Sequence, residues 1–549
     1  MQLTYRHNRF VAICAYDERQ TAKDAGFRWD PRARHWWTDD ATVASKFLDH
    51  ADERAVARLA DVSRAYKASA AVTVDEAAAA NPLVRRIAAQ LEARIAADAP
   101  RPYPFQIAGS ALMAVSQRGS GILADDMGLG KTVQAILYVA RILHETPSAL
   151  VLVVCPAAVA PNWAREFDRW CNIKPAVITG RTRAPVLPKC GVMICPYSVV
   201  SADLVLSALR VHTFAALICD ESHYLKTPAA ARTKAVWNVL RPQAQHVWCL
   251  TGTPIPNRPR EIAHIAAAIA PDVFKSEWDF LGRYCDPRLV WNGRRYVTTY
   301  DGADNLDELA QKLRGSIMIR RTKAQVLASL PRKRREIVVL SGGAAVRRLD
   351  LSGLDIATIR KQIDSGVVPM LPEISAVRHE EALARVASTV EWIVNELEQD
   401  DQPLCVLTHH KDVSRAIADG CLDADHLPVY ADGDTSPEQR QAHVDAFANG
   451  TGRLFIGTIG ACGTGINGLQ RRATKVIMAE ASWTPGDNEQ AEDRVCRIGA
   501  VANDFVRVTY LVTDGGIDSY VMDVVLSKME SIRTIMADAD AATTSHPRS

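Results

Sequence analysis

Phe214-Ala215-Ala216-Leu217-Ile218-Cys219, running straight into Asp220-Glu221-Ser222-His223, is the stretch on which the reading of this chain turns. Six apolar residues in a row predict a buried strand. It carries two carboxylates to its C-terminal end, where open α/β sheets bind ligands. Upstream, Gly128-Leu129-Gly130-Lys131-Thr132 supplies the complementary half. Glycines let backbone N–H groups approach phosphate oxygens, and the helix that follows turns its positive end toward them. In that frame Met127, Gly128, Leu129 and Gly130 line the phosphates, Lys131 reaches the β- and γ-phosphates, and the Thr132 hydroxyl ligates magnesium. Asp220 would hold the same metal, and Glu221 would orient and deprotonate the attacking water. One residue departs from a strict phosphate loop: Asp125 stands where glycine is usual.

Bulk properties bound the rest. A chain of 549 residues is too long for one core and implies about three or four domains. Its 48% apolar content is that of a globular protein, so disorder is not the default. A formal net charge of +2 excludes wholesale electrostatic coating of nucleic acid; phosphate backbones would need a locally basic groove. The twelve cysteines include no C-x-x-C pair, which argues against zinc and for reduced thiols in a cytoplasmic chain. The N-terminus lacks an apolar signal core, and no run reaches about 18 apolar residues, so neither secretion nor membrane spanning is expected.

Residues 1–52 read as a small α+β unit, with strands at 9–15 and 35–38 and helices at 17–25 and 40–50. An alanine-rich stretch, 53–98, reads as a helical linker. Short apolar strands alternating with amphipathic helices mark a first parallel α/β region over 99–275, with strands at 149–155, 192–195, 215–219 and 245–250. A second such region covers 386–536, with strands at 403–408, 453–457, 475–479 and 506–511. Between them 276–385 is charged and partly helical, and the tail 537–549 has too little apolar content to fold alone.

The motifs form an ordered series. Pro104-Phe105-Gln106 comes first, then Leu123 through Thr132, Cys155-Pro156, Asn162-Trp163, Asp220 through Lys226 and Leu250-Thr251-Gly252-Thr253-Pro254. Phe280 through Cys285, Ile319-Arg320-Arg321-Thr322-Lys323 and Leu330-Pro331-Arg332-Lys333 follow. Leu407 through Lys411, Asp432 through Thr435, Gly463 through Asn467, Trp483 through Gly486 and Gln490 through Ala500 complete it. In this order the chain resembles the Swi/Snf-type ATPases of helicase superfamily two, and among them the annealing-helicase (HepA-related, HARP) subgroup. The likeness runs from about Pro102 to Ala500. An acidic residue at the Asp125 position is usual in that family. Cys496 in place of histidine and Ala500 in place of glutamine are not, which leaves the efficiency of coupling open.

The resemblance implies two tandem RecA-like lobes, each a parallel sheet flanked by helices, with a small N-terminal α+β domain. It implies ATP and magnesium at the site, with Gln106 reading the adenine edge, Gln490 touching nucleotide or water, and Thr251 and Thr253 linking the γ-phosphate to the opposing lobe. Arg494 and Arg497, three apart, could share a helical face and offer guanidinium forks to the γ-phosphoryl group. Contacts to DNA would come from Asn162, Trp163, Lys226, His409 to Lys411, Thr435, Gly463 and Thr464, through backbone amides and small hydroxyls that grip phosphate without reading bases. In the N-terminal unit, Arg28-Trp29 and Arg34-His35-Trp36-Trp37 suit stacking on bases, and they equally suit the core of a fifty-residue domain. Trp36 and Trp37 fall on opposite strand faces, so one should pack inward. The function implied is an ATP-driven translocase on double-stranded DNA that rewinds strands or remodels forks. A protein-displacing remodeller with the same motor and a non-hydrolysing DNA clamp are the alternatives. The intact Lys131, Asp220, Glu221, Arg494 and Arg497 argue against the clamp.

Overall fold

A computed structural model of the chain describes residues 1–340 except 8, 39–40, 117, 179–186, 292–294 and 327–331, and residues 372–513 except 463–465, 467, 498–499 and 502–504. Beyond these it describes 516, 518, 521–522, 525, 528 and 532. The calls on Gly463, Thr464 and the tail therefore lie outside the described residues.

The N-terminal unit is a four-stranded antiparallel sheet of β1 (Gln2–Arg6), β2 (Arg9–Ile13), β3 (Arg28–Asp30) and β4 (His35–Thr38), in the order β1-β2-β4-β3. Strand alternation turns Phe10 and Ala12 into a core with Leu3, Ala22, Phe27 and Phe47. Trp36 packs against that core, whereas Trp37 lies on the other face with the Arg9 and Arg28 guanidiniums 3.8 and 4.2 Å from its ring centre. β1 and β3 escaped the sequence reading because only Leu3 of their residues is buried.

The alanine-rich stretch is helical but does not act as a spacer. Helix Glu53–Ser69 is capped by Asp52 and helix Val74–Ala80 by a Thr73/Glu76 capping box, and helix Leu83–Glu92 follows Pro82. Their buried faces (Ala77, Ala78, Val84, Ile87, Leu91) join one cluster with Ile107, Val133, Val151 and Trp248 of the first lobe. Small alanines allow this close helix packing, which is why the composition looked like a linker.

The first lobe is built on a parallel sheet of β5 (Ser120–Leu123), β6 (Leu150–Cys155), β7 (Ala176–Val177), β8 (Gly191–Pro196), β9 (Phe214–Asp220) and β10 (Ala244–Leu250). β6 is buried along its whole length, as its run Leu-Val-Leu-Val-Val-Cys requires of a central parallel strand. A two-stranded hairpin, β11 (Arg288–Trp291) and β12 (Tyr296–Thr299), stands apart. Then β13 (Met318–Ile319) pairs with β5 and completes the order β13-β5-β10-β9-β6-β8-β7.

The second sheet corrects the domain reading. Its order is β14-β19-β18-β15-β17-β16, all parallel: β14 (Arg332–Leu340), β15 (Leu404–Thr408), β16 (Pro428–Ala431), β17 (Leu454–Thr458), β18 (Lys475–Met478) and β19 (Phe505–Thr513). The stretch 276–385 is thus not one inter-lobe segment. Its early part through β13 belongs to the first lobe and β14 belongs to the second, so the chain changes lobe between them. No helix among the described residues is long and apolar enough to cross a membrane.

Candidate nucleotide site between the lobes

The phosphate loop lies between β5 and the helix Lys131–Glu145. Gly128 and Gly130 sit at φ +82° and +76°, the left-handed region that favours glycine. A Cβ on Gly130 would also lie 2.3 Å from Gln106 Nε2. The Leu129 side chain is buried, so what it can offer a phosphate is backbone. Lys131 Nζ donates to the carbonyls of Asp125 and Asp126, at 2.8 and 3.3 Å. Burial lowers its pKa, while Glu221, Asp125, Asp220 and Asp126 pull it back up. Thr132 is the second residue of the helix. Gln106 Oε1 accepts from the Tyr103 N–H and its Nε2 donates to the Leu129 carbonyl, both at 3.0 Å, so its amide also braces the phosphate loop.

The fully buried Asp125 has its own partner. Arg321, also fully buried, forks onto it (Nε to Oδ1 2.9 Å, Nη2 to Oδ2 2.6 Å) and donates to the Gln134 Oε1 and the Phe105 carbonyl. A glycine there would strand a buried guanidinium, which gives the departure from the strict loop its physical reason.

The carboxylates at the end of β9 are driven apart. Asp220 Oδ2 accepts from the Trp163 indole N–H at 2.7 Å, and Oδ1 from the Glu221 N–H at 3.0 Å. Burial and the Glu221 charge push its carboxyl up to about 6, against the pull of Trp163 and Lys131. For Glu221 burial is outweighed by His223, Lys131 and Arg494, and its pKa falls below the usual carboxylate range. Glu221 takes the left-handed φ of +45° that a turn right after the strand demands. Trp163 is 1% exposed, so it holds Asp220 and has no surface for DNA. Its pairing joins residues 57 apart, which no local pattern announces.

The second lobe closes the cleft. Gln490 Nε2 lies 3.3 Å from Glu221 Oε1. The helix Pro485–Glu492 carries Gln490 but stops before the arginines, which ride on the turns that follow. The shared helical face expected for Arg494 and Arg497 is therefore replaced by a turn. Arg494 Nη1 donates to the Ile466 carbonyl at 3.1 Å. Arg497 packs against the phosphate loop so closely that a Cβ on Gly128 would lie 3.0 Å from its Cβ. Burial, reinforced by Arg494, pushes the Arg497 guanidinium down to about 10. Thr251 and Thr253 are joined by a 3.1 Å hydrogen bond, and Gly486 of the second lobe donates its N–H to Pro256 and rests on Thr253. The expected contact of this motif with the opposing lobe is direct.

The donor set fits ATP and magnesium. Glu221 Oε2 and Arg497 Nε are buried without a hydrogen bond among the described residues, and 3.4 Å separates that Oε2 from the His223 ring. Hard carboxylate and hydroxyl oxygens, Asp220 and Thr132, are the ligands magnesium prefers.

The nucleic-acid candidates separate. Lys226 and His409, from different lobes, line one crevice of about 330 Å³ with His223, Arg232 and Gln490; Lys226 is paired with Glu261 at 2.8 Å. Lys411 and Thr435 do not line that crevice and are engaged with Asp434 and Asp432. Asn162 sits near the start of the helix Ala160–Cys171, half-buried.

A hydrolysis site assembled from two parallel sheets, with phosphate loop and carboxylates on one and arginines on the other, is the arrangement of two-lobed helicase-like ATPases. Residues 105–345 match the SNF2-related domain and 387–499 the helicase conserved C-terminal domain. The chain is 35% identical over 438 residues to the SWI/SNF-related matrix-associated actin-dependent regulator of chromatin subfamily A-like protein 1 of Xenopus tropicalis, covering 78% of this chain and 44% of that protein. It is 31% identical over 425 residues to the DNA annealing helicase and endonuclease ZRANB3 of Mus musculus, covering 76% and 39%. A Sulfolobus solfataricus SWI2/SNF2 ATPase core, solved in complex with dsDNA, is 22% identical with a TM-score of 0.40, covering 82% of this chain and 96% of that one. The chain belongs to the SNF2-related family of helicase-like ATPases. It spans less than half the length of the two curated relatives.

Proposed function

We propose that the protein is an ATP-dependent translocase on double-stranded DNA that anneals complementary strands or remodels forks. The observation that carries the reading is the seating of Arg497 on the phosphate loop at Gly128, with Gln490 on Glu221 beside it. Two lobes that complete one site must move relative to each other when that site turns over, and this movement is what steps along a strand. One of the two curated relatives is named a DNA annealing helicase, which favours strand rewinding as the output over displacement of proteins. The place of work in this reading is the cytoplasm, at the nucleoid or in a host's cytoplasm if the source is prokaryotic or viral.

The chemistry follows from the residues. With ATP and magnesium bound, the metal would neutralise phosphate charge and be held by Thr132 and Asp220. Lys131 leaves the loop carbonyls for the β- and γ-phosphates. Glu221, ionised and oriented by Gln490 and His223, accepts a proton from the attacking water. Arg494 and Arg497 stabilise the charge on the transferring phosphoryl group, a contribution of roughly 10³–10⁵ in rate for such arginines. Phosphate contacts to DNA come from Asn162, Lys226, His409, Lys411, Thr435, Gly463 and Thr464.

The test is ATP hydrolysis with duplex, single-stranded and forked DNA and with RNA, together with annealing of strands held apart. Stimulation by duplex or forked DNA with ATP-dependent rewinding is expected. Hydrolysis that no DNA stimulates would overturn the reading.

A further inference from the structure

The chain crosses from lobe to lobe immediately after Arg320-Arg321-Thr322-Lys323, and these residues lie against both halves of the site. Arg320 donates to the Ala124 carbonyl at 2.6 Å and to Asp126 Oδ1 at 2.8 Å. Asp126 Oδ2 accepts the Lys323 backbone N–H at 3.0 Å, which fastens that residue to the loop two positions before Gly128. From this anchor the Lys323 ammonium reaches the other lobe, where it donates to the Cys496 carbonyl and, at 2.7 Å, to Asp493 Oδ1, an oxygen it shares with Lys333 of β14; among the described residues only Lys323 brings that grip from the phosphate-loop side. Asp493 directly precedes Arg494, and Cys496 directly precedes Arg497. Both partners are mostly hidden from water, Lys323 15% and Asp493 7% exposed, so the pair is poorly screened.

We infer that Lys323 is a positioning residue of the hydrolysis reaction: one ammonium, tied at its backbone to the phosphate loop, grips the turn that carries both arginines and sets their register on the nucleotide. The segment that joins the lobes thereby also couples them. When the lobes separate, the covalent crossing persists while the Lys323 contact to the turn must break, so this contact marks the closed state. The grip on Cys496 is through its backbone carbonyl, which histidine at that position would also present. The inference rests on the proposed ATP-driven reading of the cleft.

The experiment compares Lys323→Ala, Lys323→Arg, Asp493→Asn and the Lys323→Ala/Asp493→Asn double variant of the full chain. Each is measured for DNA-stimulated kcat, the KM for ATP, and binding of a fluorescent ATP analogue. A misplacement of about 1 Å costs on the order of 10² in rate, so Lys323→Ala is expected to lose at least about tenfold in kcat with KM and analogue binding within about threefold of wild type. Lys323→Arg restores most of the rate, and the double variant is within about threefold of Asp493→Asn. An unchanged kcat in Lys323→Ala overturns the inference, as does a fully additive double variant or a loss confined to analogue binding. Should Lys323→Ala not fold, Lys323→Gln and Asp493→Asn decide by the same split between kcat and KM. A wild-type protein without any ATPase activity instead overturns the reading of the cleft.

Discussion

Gln490 Nε2 of the second lobe stands 3.3 Å from Glu221 Oε1 of the first, 269 residues away in sequence. The carboxylate proposed to take a proton from water is thus contacted by a side chain of the other sheet's lobe. Glu221→Gln is expected to lower DNA-stimulated kcat by about 10² or more while ATP-analogue binding survives, because general-base removal costs roughly 10²–10⁴. Gln490→Ala, which removes only the orienting amide, should cost about tenfold. Steady-state kinetics beside equilibrium binding checks both.

Asp125→Gly restores the strict phosphate-loop pattern and is nevertheless expected to destabilise the protein. It leaves Arg321, fully buried, without its carboxylate. Breaking a buried pair by removing one partner costs about 3–5 kcal/mol. A lowered denaturant midpoint at unchanged m-value is the expected signature, and it should be partly reversed by a second substitution, Arg321→Met.

Glu492 gives stability a definite pH dependence. Its carboxylate is buried among Lys333 (2.8 Å), Arg335 (2.8 and 2.6 Å) and the Tyr510 hydroxyl (2.7 Å). Burial raises its pKa, but Lys333 and Arg335 outweigh this and bring it from 4.5 down to about 2. A carboxyl with a lower pKa folded than unfolded stabilises fully above the unfolded value, and the contribution disappears as pH falls from about 4.5 to about 2. The size is about 3 kcal/mol. Glu492→Gln should therefore lower Tm at pH 7 and flatten its fall between these limits; an acid limb as steep as wild type would contradict the assignment.

Trp163→Phe keeps an aromatic ring in the core and removes the N–H that Asp220 Oδ2 accepts at 2.7 Å. A hydrogen bond to a charged group contributes about 1.5–3 kcal/mol. The variant should be less stable by that order and need more magnesium for half-maximal nucleotide binding, while binding in EDTA is unchanged. Titrations with and without the metal read this out.

The strands of both sheets were legible wherever the chain wrote an unbroken apolar run, as at Leu150–Cys155 and Phe214–Asp220. β5 was not, because Ser120-Gly121-Ile122-Leu123 is short and half non-apolar. β14 opens Arg-Lys-Arg-Arg-Glu, and this first half is held inward by ion pairs with Glu492 and Asp493 while only its end, Val338 and Leu340, packs on the core, so hydropathy misses it. In the site, residue types at fixed spacing identified the loop and the carboxylates. Arg321 and Lys323 were quoted as motif letters, without roles, and Trp163 was read as a DNA contact, because their actual contacts join positions 196, 170 and 57 apart. The arginine turn was misread as helix since three-residue spacing does not report where a helix ends.

The account stands or falls on Arg497, and the deciding measurement is DNA-stimulated ATP hydrolysis by Arg497→Ala set beside its affinity for an ATP analogue. A loss of about 10³ or more in kcat, with affinity within about tenfold of wild type, is expected of a guanidinium that acts on the transferring phosphoryl group from the second lobe. Wild-type turnover in that variant would contradict a cleft completed by both lobes.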